Sequence, residues 1–179
     1  MKKSLIVLGI CGVLIALIFI FKTDDEIKFY EEFDLNINDQ ESLISDLEDK
    51  NFNQEISASI SDKQISIYHE NKEYSLMLEE DLFYVSLAPY VKQTHGCYTH
   101  SLTGCQGELI DKDFIVKIHD EEGNLLEEKI INSGSDGFFG LFLKKGFTYT
   151  IIVEYEDLNT SYDIKANTDQ TCYTGGQLA

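Results

Sequence analysis

Arginine is absent from this 179-residue chain: its 14 basic residues are all lysine, set against 32 acidic ones, for a formal charge of -18. Two of those lysines, Lys2 and Lys3, precede a long apolar run, and the 12 beyond it face 32 acids, a balance near -20. Such a surface repels nucleic-acid phosphates and anionic lipid headgroups, which excludes nucleic acid as a partner. Methionine is nearly missing, with Met77 alone outside the initiator, so there is no methionine-rich metal-binding tract. Proline occurs once, at Pro89, where it biases Ala88 toward an extended backbone. There is no internal repeat, no phosphate-cradling glycine loop, no nucleophile elbow and no zinc-protease helix motif, which removes the commonest hydrolase and nucleotide-binding classes.

What is present begins with residues 5–21, an uninterrupted apolar stretch. About 17 helical residues at ~1.5 Å each reach roughly 25 Å, just enough to span a bilayer. Bulky residues and Lys22 follow where a signal peptidase would want small ones, so the run reads as an uncleaved single-pass anchor rather than a cleaved signal. Lys2 and Lys3 in front of it hold the N-terminus in the cytoplasm and send the acidic body outward. Leu8-Gly9-Ile10-Cys11 has the outline of a lipobox, but the bulky Ile10 and the apolar residues after Cys11 argue against lipidation.

The remaining 155 to 160 or so residues suffice for one ordinary core or two small ones. Residues 22–37 are acidic with aromatic punctuation and read as a tether. Leu43, Ile44 and Leu47, with Asn38 or Asp39 as an N-cap, predict a short amphipathic helix over 38–50. From Glu55 the period changes to two: Ile56, Ala58 and Ile60, then Ile65 and Ile67, then Tyr74, Leu76 and Leu78 after a turn at Asn71-Lys72-Glu73. Residues 83–91 form a nearly continuous, buried apolar run. Past Gly107, alternating strands with glycine turns predict a β-sandwich, ending in a strand over 161–166 and an irregular tail over 168–179. The expectation is thus a mainly β (α+β) chain. It comprises an anchor over 1–21, a tether over 22–37, a small α+β unit over 38–93, a His/Cys stretch over 94–107, and a β-sandwich over 108–179 whose tail carries Cys172.

The chemistry concentrates in residues 94–108. His95, Cys97, His100 and Cys105 fall within eleven residues, and Cys172 waits near the C-terminus. Thiolate and imidazole are the donors that hold Cu(I) or Zn(II). Cu(I) accepts low coordination and soft sulfur, so three thiolates, or two with an imidazole, suit it; zinc would draw four ligands from His95, Cys97, Cys105 and Cys172. Gly96 and Gly104 each precede a cysteine, where a missing Cβ lets the backbone bend close to an ion. The same spacing also fits a plain disulfide, since Cys97 to Cys105 closes a nine-residue segment worth about 2 to 3 kcal/mol. With Cys11 in the membrane, three cysteines face an oxidising compartment, and one is left over after any single disulfide. Two thiols that oxidise could also reduce Cu(II) as it binds. His119 on a strand and His69 beside a turn read as ordinary surface histidines.

The run 81–91, the stretch from Thr94 to Glu108, Asp136-Gly137-Phe138-Phe139-Gly140-Leu141, residues 150–155 and the closing 171–178 resemble the CueP-type copper-binding proteins. The resemblance covers about residue 33 to the C-terminus. It implies an extracytoplasmic bacterial protein in copper resistance that binds copper through Cys97, Cys105 and Cys172, with His95 or His100 completing or guarding the site. It further implies storage of the metal or its hand-over to a copper-receiving enzyme or a thiol-disulfide exchange protein, with thiol-linked Cu(II) reduction as an accompanying chemistry. Family members commonly carry a secretion or lipoprotein signal, where this chain has a segment that reads as a retained anchor. A disulfide-stapled structural module is the rival of another class.

Overall fold

The computed structural model describes residues 24–49, 52 and 55–179. The apolar run over 5–21 lies outside these, and among the described residues no helix is long and apolar enough to cross a membrane.

The stretch read as a tether opens with a helix, α1 (Asp24–Glu32). Phe29, Tyr30 and Phe33 stand at i, i+1 and i+4, a helical face, and Phe29 stacks on Tyr74 with ring centroids 3.9 Å apart. α2 (Gln40–Asp49) follows as expected, burying Leu43, Ile44 and Leu47. Asp39 caps it, accepting from the Glu41 N–H at 3.1 Å and from the Ser42 hydroxyl at 2.8 Å.

The period-two segments form β1 (Ser57–Ile60), β2 (Gln64–His69) and β3 (Lys72–Met77), an antiparallel meander. The β2–β3 turn falls at Glu70 and Asn71, both with positive φ, one residue earlier than the sequence suggested. β4 (Leu82–Leu87) is buried on both faces, which is why its sequence runs apolar instead of alternating. β5 (His100–Ser101) then joins β1, placing Ile60 opposite His100.

Beyond it come β6 (Asp113–His119), β7 (Leu125–Asn132), β8 (Phe139–Lys144), β9 (Thr148–Tyr155), β10 (Leu158–Lys165) and β11 (Cys172–Tyr173). β10 starts earlier than the expected 161 because Glu156, at a φ of 54°, makes the β9–β10 turn. The tail expected to be irregular contributes β11, which pairs parallel with β4. Among the described residues three sheets result, ordered β3-β2-β1-β5, β10-β9-β6-β7 and β11-β4-β8. The second and third pack face to face over Phe83, Val85, Leu87, Phe114, Val116, Phe139, Leu141, Ile151 and Val153. The sandwich therefore draws one of its sheets partly from β4, which precedes the His/Cys stretch. On the far side of β4 and β8, Tyr84 and Phe142 meet α2 and the first sheet in a second core.

Candidate metal centre

A third, small apolar cluster of Ala88, Phe138 and Cys172, with Cys97 and Cys105 against it, lies beside β11 and the neighbouring ends of β4 and β8. Each donor arrives on a different support. β5 carries His100, whose backbone N–H donates to the Thr171 hydroxyl at 3.2 Å while that hydroxyl donates to the Ile60 carbonyl at 2.7 Å. β11 carries Cys172, and the Thr171 and Cys172 N–H groups both donate to the Tyr98 carbonyl. Cys105 sits on a tight turn, its N–H donating to the Ser101 carbonyl at 3.0 Å and its sulfur accepting from the Ser101 N–H at 3.4 Å. The approach to the stretch is pinned by Glu108, whose carboxylate accepts from the Val91 N–H at 2.7 Å and the Lys92 N–H at 2.9 Å. Those N–H groups hold Glu108 below the usual carboxylate range.

Cys97, His100, Cys105 and Cys172 place one donor atom each within 4.8 Å of one another, a group able to hold a metal ion. A disulfide joins Cys97 to Cys172, and Cys105 is the free thiol among the described residues. The pairing is not the local Cys97–Cys105 bridge that the spacing allowed: β11 carries Cys172 to Cys97, while Cys105 Sγ lies 3.6 Å from Cys97 Sγ. His95 is brought elsewhere. Its ring nitrogens face the Gly96 carbonyl at 3.2 Å and the Gln106 carbonyl at 3.1 Å, outside the four-residue group. His69 packs its ring against Phe29 and Phe33, outside the four-residue group. The glycine the geometry requires is also a different one. A Cβ on Gly96 would meet open space, whereas one on Gly107 would press against the Gly137 carbonyl oxygen, where the stretch crosses the β7–β8 turn.

His100 is fully buried between two kinds of partner. Its Nδ1 lies 3.9 Å from Cys172 Sγ, its Nε2 lies 3.0 Å from Glu48 Oε1, and its ring packs tilted against Phe138, centroids 4.7 Å apart. Burial disfavours the imidazolium, but the Cys105 thiolate and the Glu48 carboxylate outweigh it and push His100 up to about 9. Cys105 responds in kind: burial raises its pKa, and the His100 imidazolium with the Ser101 N–H more than reverses that. Asp136 is pushed up to about 6, chiefly by burial and then by Glu48, although the Phe138 N–H and His100 pull the other way.

Glu48 and Asp136 escaped the sequence reading. Glu48 stands four residues after Ile44 and so borders the buried stripe of α2, a signal that it does not face bulk water. Asp136, inside the Ser133–Gly137 turn, offered no such cue.

A β-sandwich that gathers three cysteines and a buried histidine at one junction defines a thiol- and imidazole-based metal-binding protein. The model of the periplasmic copper-binding protein CueP family matches residues 42–177, and this chain belongs to that family. The crystal structure of S.CueP is similar at a TM-score of 0.80 and 31% identity, covering 89% of this chain and 99% of that one. No curated protein sequence matches the chain.

Proposed function

We propose that the chain captures copper as Cu(I) outside the cytoplasm, through the thiolates of Cys97, Cys105 and Cys172 with His100 as a fourth donor, and stores it or hands it to a recipient. The observation that carries this reading is the convergence of those four donors within 4.8 Å. Three soft sulfurs match Cu(I) better than any harder ion. With Cys97 and Cys172 joined, only Cys105 and His100 can ligate. Capture at full strength therefore follows reduction of the disulfide, two electrons and two protons delivered by a dithiol exchange partner. His100 between Cys105 and Glu48 keeps the free sulfur in its ligating, thiolate form. Residues 5–21 tether the body to the membrane from the outer side, with Lys2 and Lys3 inside.

A second reading is favoured by one observation, a disulfide beside a free thiol. Oxidation of Cys97 and Cys172 to the disulfide gives up two electrons, which reduce two Cu(II) to Cu(I), leaving Cys105 with His100 to hold an ion. The two readings share the site and differ in whether the cysteines cycle.

The test is a Cu(I) titration of the reduced full-length chain against a chromophoric chelator, with free thiols counted. One Cu(I) that hides the thiols is expected, as is a lower stoichiometry in Cys97→Ser with the fold retained. An unchanged stoichiometry in that variant overturns the site. Thiols that disappear as Cu(I) appears on adding Cu(II) support the second reading; a constant thiol count dismisses it.

A further inference from the structure

His100 has two ring nitrogens, and the sulfur site uses only the side that faces Cys172 and Cys105. On the other side, Glu48, His100 and Asp136 bring one donor atom each within 4.8 Å of one another. These are two carboxylates and an imidazole, harder donors than sulfur. The arrangement is a poor resting place for its own charges, because two acid groups with little access to solvent converge on a single imidazole. Glu48 Oε1 is taken up by His100 Nε2 at 3.0 Å. Asp136 Oδ1 accepts the Phe138 N–H at 2.9 Å, yet its Oδ2 is buried with no hydrogen-bond partner, on a residue only 8% exposed. A buried acceptor left over in this way destabilises the fold unless something fills it.

We infer that Glu48, His100 and Asp136 form a second cation site, distinct from the sulfur cluster and joined to it through the His100 ring, that takes a divalent first-row ion with Cu(II) foremost. One nitrogen with carboxylate oxygens is a donor set for Cu(II) and Zn(II), and the Irving–Williams order places Cu(II) first. The charges agree, since a divalent cation balances the two carboxylates that the single imidazole cannot. A cleft of about 270 Å³ beside α2, lined by Ser45, Glu48, Tyr84 and Lys129, reaches the group at Glu48, whose side chain is 15% exposed, while His100 and Asp136 lie behind it. The sulfur face and the oxygen face thus select different ions, or different oxidation states of one ion, across one imidazole. The inference goes beyond the proposed Cu(I) capture and does not require it.

The experiment uses the full-length Cys11→Ser, Cys105→Ser chain with its Cys97–Cys172 disulfide kept oxidised, so that no thiolate remains. Cu(II) is titrated in and read by electron paramagnetic resonance. One tightly held equivalent is expected, tetragonal, with a single imidazole nitrogen in its coupling pattern. Adding Asp136→Asn, which keeps the acceptor for the Phe138 N–H, should weaken binding by about tenfold or more. No bound Cu(II), or an affinity that Asp136→Asn leaves unchanged, overturns the site. Should that variant fail to fold, the parent chain decides the question through Zn(II) titrated against the His100 ring nitrogens by NMR: a shift at Nε2 is required, and its absence refutes the inference. Failure here leaves Cu(I) binding by the reduced thiols standing, because this chain contains none.

Discussion

Replacing Glu48 by glutamine removes a charge and keeps the shape. Glu48 Oε1 stands 3.0 Å from His100 Nε2, on a histidine with no exposure and a carboxylate 15% exposed, so solvent screens the pair little. A hydrogen bond to a charged group in such a setting is worth about 1.5 to 3 kcal/mol, and each pKa unit corresponds to about 1.4 kcal/mol. The variant should lower His100 from about 9 by roughly one to two units. Cys105, held down by that imidazolium, should rise in turn. The stability change has a defined direction. His100 titrates higher folded than unfolded, so its contribution is complete below 6.5 and is lost as pH rises through about 9. Wild type should therefore lose on the order of 3 kcal/mol across that window, and Glu48→Gln distinctly less. The Cys105 thiolate runs the opposite way, its share present above the unfolded thiol pKa and fading as pH falls through the lowered folded value. It belongs to the same ion pair and is counted once. Ring-proton NMR of His100, alkylation of Cys105 against pH, and urea unfolding at both ends of the window measure the three quantities. A His100 titration in Glu48→Gln that overlays wild type refutes the reasoning.

Gly140→Ala should cost about 1 to 3 kcal/mol in urea unfolding, because its Cβ would lie 2.5 Å from the Tyr84 ring, buried beneath α2; an unchanged midpoint would show that the ring yields freely. Cys172→Ala opens a disulfide spanning 75 residues, so the oxidised protein should lose about 4 to 5 kcal/mol by loop entropy, and equal melting of variant and parent would contradict that. His95→Ala should leave Cu(I) affinity unaltered, since its ring is outside the four-donor group; a loss of about tenfold would return it to the site.

Much of the scaffold was legible because burial leaves a period. Ile56, Ala58 and Ile60, or Phe114, Val116 and Ile118, alternate as half-buried strands must, and all six are buried. α1 and the residue after it carried a helical signature in Phe29, Tyr30 and Phe33, but acidic neighbours made it read as a tether. The His/Cys stretch announced its chemistry through residue types, and its length made the family resemblance specific. Pairing was illegible: nothing in the spacing of Cys97 and Cys105 says that a parallel strand will bring Cys172 to Cys97. Asp136 stayed hidden for a related reason, as an acid in a glycine turn looks solvated until Gly107 is packed over it.

The parallel seat of β11 on β4 has a consequence for biogenesis. In a body threaded across a membrane in sequence order behind a retained anchor, Cys97 and Cys105 meet oxidants before Cys172 emerges. The bridge available then is the short one between neighbours, and the native bridge must be won from it by rearrangement once the tail docks. With the three sulfurs gathered at one place, the tail's own thiol can perform that exchange on arrival, Cys172 attacking Cys97 and releasing Cys105. The cluster that handles metal in the finished protein can in this way proofread its own assembly, and release of the Cys105 thiol reports that the whole chain has been delivered.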